Sequence, residues 1–564
     1  MAAHPARQPR PCLTRQHHRV SLLDHHLKQL CRQSAGPLLL GAIHALSFAP
    51  GPLPAWSLPF VQIVALAFLA FYVFQAVTIR QAALMGFLFG LSNFTLGFYW
   101  LYISMHNYGG MASWMAAAAV LLLAAAEALF IVGATILARW LSGPHLRAHS
   151  SYQWQLLIAA VWASSWTMFE WLRGTLFTGF PWLNVGYAHV EGMLTHWAPI
   201  LGVYGLAWFA AFASAAIALL ACAKDSKNDA KAAIGVGCAL VIGLLGIALS
   251  HIAWSTPHAN PIIVRLVQGN VAQSEKFDPQ HLQRGLADYM QLAALAPKTP
   301  NDAPQLIVLP ETVMPLFQDR IAPQAWQEWL DIAQASNAQI LMGAPLHNQH
   351  QGQDRYTNSA ISFNAQTPLA ALVAGEPGLR YDKHHLVPFG EFIPPGFRWF
   401  VDAMQIPLGD FNRGPARQAL FPIAGQIISP DICYEDVFGE EIIRSVRDSE
   451  QFGPGATILV NMSNLGWFGN SWALRQHLQI SRMRALETAR PMIRATNTGM
   501  TAAIAPNGTV RAALDTMSKG VLDVEVQGMT GLTPYVRWGN GPVLAWASLI
   551  LLAGLWLRRR QSAY

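Results

Sequence analysis

Gln426-Ile-Ile-Ser-Pro-Asp-Ile-Cys433-Tyr434-Glu435-Asp436 is the stretch on which the reading of the fold turns. Ile427, Ile428 and Ile432 form an apolar run that reads as a buried strand. From Tyr434 to Arg447 the pattern predicts a helix, with acidic residues in its first turns and Arg444 and Arg447 near its end. That is the charge order a helix dipole favours. Cys433 then stands at a strand-to-helix junction. Unpaired backbone N–H groups there stabilise negative charge on sulfur or on an attacked carbonyl oxygen. Taken alone, a cysteine is more often a packing residue than a nucleophile, so the rest of the chain has to decide.

Composition comes next. Of 564 residues 53% are hydrophobic and only 12% charged, against about 25% charged in an ordinary soluble protein. The apolar residues fill the first 255 positions and a short run at the end, with a soluble-like segment between them. This is the distribution of a membrane protein carrying one large globular domain. The formal charge of +6 arises from basic residues beside apolar spans, a topology signal rather than a nucleic-acid footprint. The five cysteines form no C-x-x-C pair, and only Cys433 falls in the globular segment. Neither a zinc site nor a redox dithiol is suggested, and no metal or other cofactor is expected.

Residues 1–34 are rich in Arg and His without an apolar core and read as a cytoplasmic tail, not a signal peptide. Apolar spans are predicted at 36–50, 57–78, 82–103, 111–138, 153–173, 196–222 and 232–254, with an eighth at 541–557. Arg80, Arg139, Arg147, Lys224, Lys227, Lys231 and Arg558–Arg560 then share one side, and the connections at 50–57 and 104–110 carry no Lys or Arg. By the positive-inside rule the basic side is cytoplasmic and the globular domain lies outside. The division expected is a tail (1–34), a seven-span bundle (35–255), an outer catalytic domain (256–537) and a final span with a basic end (538–564). Within the bundle, Glu127 reads as an interior polar contact or a packing residue, and Arg173 as a partner of Glu170. His44 reads as structural. The aromatic loop from Gly174 to His196 reads as an interfacial segment.

The outer domain mixes strands and helices: strands at 262–270, 306–311, 339–343, 356–364, 427–432, 457–462, 501–504 and 521–526, and helices at 279–296, 323–335, 434–447 and 473–489. That predicts an α/β or α+β domain with a sizeable sheet covered by helices. Glu311 follows the strand Leu306-Ile-Val-Leu-Pro directly, and Lys383 sits in Tyr381-Asp-Lys-His-His-Leu-Val-Pro-Phe-Gly-Glu391. Each alone is unremarkable, a loop carboxylate and a snorkelling lysine. His384 and His385 invite a metal reading, but no carboxylate or cysteine at ligand spacing supports one. Together with Cys433 the set is more specific. A thiol nucleophile needs a base for its proton and a cation for the oxyanion, and Glu311, Lys383 and Cys433 supply those roles.

The blocks Leu309-Pro-Glu311-Thr, Tyr381-x-Lys383-x-His385-Leu-Val-Pro-Phe-Gly-Glu391 and Ile432-Cys433-Tyr434-Glu435 resemble the catalytic blocks of the nitrilase superfamily. Longer pieces resemble its membrane-embedded branch, the apolipoprotein N-acyltransferases. These are Phe411-Asn-Arg-Gly414, Asn461-Met-Ser-Asn-Leu-Gly-Trp467-Phe-Gly469, Gln476-His-Leu-Gln and Thr496-Asn-Thr-Gly499. In the membrane half Trp171-Leu-Arg-Gly174 with Thr178-Gly-Phe-Pro-Trp182 does the same. The resemblance implies an α-β-β-α sandwich joined to the helical bundle. It implies an acyltransferase with Glu311 as proton acceptor, Lys383 as oxyanion and thiolate stabiliser and Cys433 as nucleophile.

The implied reaction moves an acyl chain from a membrane phospholipid, through a Cys433 thioester, to the amine of S-diacylglyceryl-cysteine on an apolipoprotein. The implied setting is the bacterial inner membrane, with a monomeric enzyme whose catalytic domain is periplasmic. Glu391, Tyr434 and Glu435 resemble supporting positions. Phe277 and Trp467 are substrate-contact candidates, and Phe397 and Trp399, within the segment Phe392–Phe400, are lid candidates. Two departures from the family pattern stand out: Phe277 where Trp is common, and Leu465-Gly466 where Asp-Ala is common. A membrane-tethered amidase or hydrolase is the rival reading, and a non-catalytic scaffold a more distant one.

Overall fold

A computed structural model describes residues 34–48, 50, 53–143, 151–223, 226–394, 396, 398 and 410–562. The predicted N-terminal tail, up to residue 33, lies outside the described residues, as do Phe397, Trp399 and Phe400.

The membrane half is helical throughout. It comprises α1 (Ser34–Phe48), α2 (Leu58–Gln75), α3 (Ile79–Gly97), α4 (Ser113–Ser142), α5 (Tyr152–Arg173), α6 (Ala198–Cys222) and α7 (Ser226–Ala248). A capping box starts α3: the Thr78 side chain accepts from the Gln81 N–H while Gln81 reaches back. Beyond Gly97 the chain bends by 48° into a helical segment running to Tyr108. Among the described residues five helices, Gly541–Ser562 included, are by length and composition able to cross a bilayer, or six with the bent pair counted as one span. The expected eight is therefore approximate. Helix α1 is short, and α5 carries Ser164, Ser165, Thr167, Glu170 and Arg173, all buried. A helix surrounded by other helices, as α5 is by α4, α6, α7 and Gly541–Ser562, keeps polar side chains away from lipid and needs no apolar circumference.

Arg173 donates to the Phe180 and Trp182 carbonyls and lies 3.5 Å from Glu127. The expected partner, Glu170, instead accepts from the Val185 N–H at 3.0 Å. The loop from Gly174 to His196 is also corrected. Only its tip behaves as an interfacial segment, with Phe177 95% exposed, whereas Trp182, Val185 and Tyr187 are buried. Trp56, Trp114 and Trp538 are exposed like Phe177, each at the end of a helix nearest the globular domain. Such a ring of aromatic residues suits a membrane–water boundary.

The globular domain holds two six-stranded sheets. In chain order their strands are β1 (Ile262–Gln268), β2 (Leu306–Val308), β3 (Gln339–His350), β4 (Gln353–Phe363), β5 (Leu379–Asp382), β6 (Phe421–Ile423), β7 (Gln426–Ile432), β8 (Ile458–Ser463), β9 (Met492–Thr496), β10 (Ala502–Ile504), β11 (Val510–Ala513) and β12 (Gly520–Val526). The spatial orders are β12-β1-β2-β3-β4-β5 and β11-β10-β9-β8-β7-β6. Parallel pairing at the centre of each sheet, β1 with β2 and β2 with β3, and β7 with β8 and β8 with β9, points several strand ends in one direction. Val264, Leu266, Val308, Leu341, Ile428, Ile432, Val460 and Met462 fill the space between the sheets.

Four helices cover the outer faces: α8 (Pro279–Ala293) and α9 (Pro323–Ser336) on one sheet, α10 (Gly439–Val446) and α11 (Trp472–Thr488) on the other. The result is an α-β-β-α sandwich. Helix α11 also packs on α6 of the bundle, and Ile480, Met483 and Leu486 share one core with the membrane helices. One helix layer is thus shared by sheet and bundle, which seats the sandwich directly on the membrane half.

The single helix expected from Tyr434 to Arg447 is broken. A 3-10 turn covers Cys433–Val437, and α10 begins only at Gly439. The physical reason is the Glu435 carboxylate, which folds back to accept from the Ile432 N–H at 2.8 Å and tightens the first turn.

Candidate active site

The ends of β2, β5 and β7 bring three of the sequence-derived residues to one place. Glu311 lies just beyond β2, where the backbone of β3 passes beneath it. A Cβ at Gly343 would come within 2.6 Å of the Glu311 Cα, so glycine is required for that close approach. The Glu311 carboxylate accepts from the Asn464 N–H at 2.9 Å and from Asn358 at 2.8 Å. Lys383 follows β5, held through its backbone N–H by the Asn358 carbonyl. Its ammonium lies 2.9 Å from Glu391 and 3.5 Å from Glu311, with the side chain 1% exposed. Burial works against that charge, yet Glu391 and then Glu311 hold Lys383 above the ordinary lysine range.

Cys433 directly follows β7 with a φ of +56°, left-handed backbone that a β-carbon resists. Its side chain packs against the core between the sheets. Burial, followed by the field of Glu311, pushes its thiol well up, and Lys383 opposes them. A thiol raised in this way would attack a carbonyl only with a base to take its proton as the bond forms.

The supporting residues divide by role. Glu391 accepts from Lys383, from Asn358 at 2.7 Å and from the Val387 N–H at 2.8 Å, which fixes the lysine. Glu435, read from the sequence as either a support or a helix-start carboxylate, is buried. It accepts from the Ile432, His384 and His385 N–H groups and from the Tyr381 hydroxyl. It thereby ties the cysteine turn to the lysine loop. Tyr434 points into the membrane half: its hydroxyl donates to the Gly179 carbonyl at 3.0 Å and its ring stacks near Trp182. Phe277 and Trp467 form one aromatic wall, with ring centroids 6.0 Å apart. The lid candidates Phe397 and Trp399 fall outside the described residues. His384 and His385 are engaged with the Gly414 carbonyl and Glu441.

Several functional contacts were not read from the sequence. Gln476 accepts from both Trp100 at 3.0 Å and Trp182 at 2.9 Å, so one amide joins the catalytic layer to two membrane elements. Lys276 is a second buried lysine beside the acid, with its ammonium 3.3 Å from the Glu311 carbonyl oxygen. Its only signal in the chain is its place one residue before Phe277. Burial, opposed by Glu311, lowers Lys276 to about 7. In the unfolded chain it binds a proton up to its usual pKa near 10.5. Between those values the unfolded state holds the extra proton, so stability rises with pH from about 7 upward and is lost below it. Thermal unfolding in detergent should show this gain between pH 6.5 and 9, and Lys276→Met should flatten it.

Comparison with known proteins gives concordant results. A family model for the apolipoprotein N-acyltransferase N-terminal domain matches residues 40–216, and one for carbon-nitrogen hydrolases matches residues 263–535. A Bordetella bronchiseptica protein named apolipoprotein N-acyltransferase is 53% identical, over 94% of this chain and 97% of its own. Proteins of that name from Ralstonia nicotianae and Nitrosomonas europaea are 46% and 42% identical, covering 94% and 88% of this chain and 94% and 92% of their own. Among solved structures, a nitrilase-superfamily amidase from Nesterenkonia is 17% identical with a TM-score of 0.35, over 51% of this chain and 97% of that one.

Proposed function

Because the chain belongs to the apolipoprotein N-acyltransferases, we propose that Glu311, Lys383 and Cys433 carry its acyl transfer through a thioester on Cys433. The protein is a multi-pass membrane acyltransferase of lipoprotein maturation. The observation that most supports the thioester route is the buried cluster itself. Glu311 and the fixed Lys383 ammonium lie 3.5 Å apart and both act on the Cys433 thiol, while the next residue, Tyr434, reaches Gly179 in the membrane half.

In the first half-reaction Glu311 takes the thiol proton as sulfur attacks the phospholipid ester carbonyl. Lys383 and the Tyr434 N–H hold the tetrahedral oxyanion. The ester C–O bond breaks, Glu311 returns the proton to the leaving lysophospholipid oxygen, and a thioester remains. In the second half the acceptor is the α-amine of a diacylglyceryl-cysteine, with a reference pKa of about 8, so part of it is neutral near pH 7. It attacks the thioester, Glu311 takes its proton, the C–S bond breaks to leave an amide, and Glu311 returns the proton to the sulfur as the free thiol re-forms. This is ping-pong covalent catalysis. The Phe277–Trp467 wall would exclude water that otherwise hydrolyses the thioester.

The bundle supports the choice of substrates. Both carry acyl chains, and drawing those into water costs about 0.8 kcal/mol per CH₂. A catalytic layer seated on membrane helices avoids that cost. Exposed aromatic residues at several helix ends and basic residues at the opposite ends support placing the domain on the periplasmic side of the inner membrane.

Mass spectrometry of the Cys433 peptide after incubation with phospholipid tests the reading. An acyl adduct that a diacylglyceryl-cysteine peptide discharges to its amide is the expected result. Discharge to free fatty acid in the presence of that peptide would instead support a membrane-tethered hydrolase, and no adduct would overturn the thioester.

A further inference from the structure

Beneath the nucleophile lies a polar network that the reaction above does not use. The Cys433 carbonyl oxygen accepts from Asn461 Nδ2 at 3.1 Å and bonds His477 Nε2 at 3.1 Å. His477 also bonds Asp436 at 2.7 Å through the same nitrogen, and Arg494 through Nδ1 at 2.9 Å. Arg494 donates as well to the His477 carbonyl at 2.7 Å, and Ser481 donates to Asp436. Asn461 is held by Asp431 at 2.6 Å and by the Ser463 hydroxyl. Asn461, His477, Arg494, Asp436 and Ser481 are each 0% exposed.

The donor inventory settles the tautomer. A guanidinium can only donate, so His477 Nδ1 must accept, and the ring proton sits on Nε2. That proton is shared between Asp436 and the Cys433 carbonyl. Burial first, and Arg494 with it, lowers the affinity of the ring for a second proton, while Asp436 opposes them. The carbonyl thus receives two donors, Asn461 and His477.

That carbonyl and the Tyr434 N–H belong to one planar trans peptide and point in opposite directions. Fixing the oxygen fixes the N–H. The left-handed conformation of Cys433 is disfavoured for any residue with a β-carbon and persists only where its surroundings over-determine it. We propose that Asn461 and His477 are positioning residues that clamp the Cys433 carbonyl and so aim the Tyr434 N–H at the acyl oxyanion. The proposal rests on the thioester reading above.

The test compares two reactions of the same sulfur in purified full-length enzyme. Acylation by a dioleoyl phospholipid in detergent micelles builds an oxyanion; alkylation by iodoacetamide does not. His477→Leu should slow acylation by about a hundredfold, the cost of a misplaced reacting group, and leave alkylation near the wild-type rate. His477→Gln offers an amide oxygen to Arg494 and an amide N–H to the carbonyl, and should restore most of the acylation rate. Should His477→Leu not accumulate, Asn461→Ser removes the other donor and is read in the same way.

A parallel fall in both reactions would mean a merely structural role and overturn the clamp. So would unchanged acylation, or a glutamine variant as slow as the leucine one. Failure of the wild type to acylate at all would instead overturn the thioester reading.

Discussion

With alanine in place of Cys433, the expected result is an enzyme that folds and inserts yet releases no lysophospholipid. The side chain is only partly buried, and trimming it leaves the Asn461 and His477 bonds to the backbone carbonyl in place. The cost to stability should therefore stay near that of a small truncation, about 1 kcal/mol. The chemistry loses everything, because neither Glu311 nor Lys383 can form the covalent intermediate. Removal of a nucleophile from such a constellation costs about 10⁶-fold in turnover. Release of lysophospholipid and appearance of the N-acylated peptide should vanish together. Residual transfer above a thousandth of the wild-type rate, far more than a loss of about 10⁶-fold leaves, would mean that the acyl chain never rested on this sulfur.

Lys383→Met should be the next most damaging change, and it should hurt folding as well as rate. Glu311 and Glu391 both accept from the single Asn358 side-chain nitrogen, at 2.8 and 2.7 Å, and both lean on the single ammonium. Without the ammonium, two buried carboxylates face each other and one must bind a proton. Losing an oxyanion donor alone costs about 10²–10³-fold in rate, and partial protonation of the base adds to that. Breaking a buried pair costs about 3–5 kcal/mol.

The sign of the pH dependence follows. Two buried carboxylates without their cation repel each other most when both are ionised. The deficit in Tm against the wild type should be larger at pH 8 than at pH 5. Lys383→Arg should not rescue the rate, since a planar guanidinium does not fit a site built around a point charge that is 1% exposed. A methionine variant keeping a tenth of the wild-type rate would remove Lys383 from the oxyanion role.

What could be read without coordinates was local. Hydropathy separated the bundle from the domain, because a bilayer demands long apolar runs that no soluble segment needs. Alternating apolar runs with helices between them placed most strands and helices of the sandwich, and the three catalytic blocks sat at strand ends. The count of eight spans was less secure. A helix such as α5, surrounded by protein, hides Glu170 and Arg173 without lengthening its apolar run.

Residue by residue, the chain alone determined the identity of Glu311, Lys383 and Cys433 as a chemical set, since few residue types supply a nucleophile, a base and a cation. It also placed them in a segment flanked by apolar spans. Only tertiary structure decided how Cys433 is presented. The two donors on its carbonyl come from 28 and 44 residues away, and Glu435 reaches back 51 residues to the lysine loop. Helix α11 contributed most of what was missed. Its Gln476-His-Leu-Gln block was read only as part of the family resemblance, with no contact assigned, yet Gln476, His477, Arg484 and Glu487 are all buried. Polar side chains are legible as surface only while water is their partner. Here the partners are other parts of the fold, and distance along the chain carries no record of them.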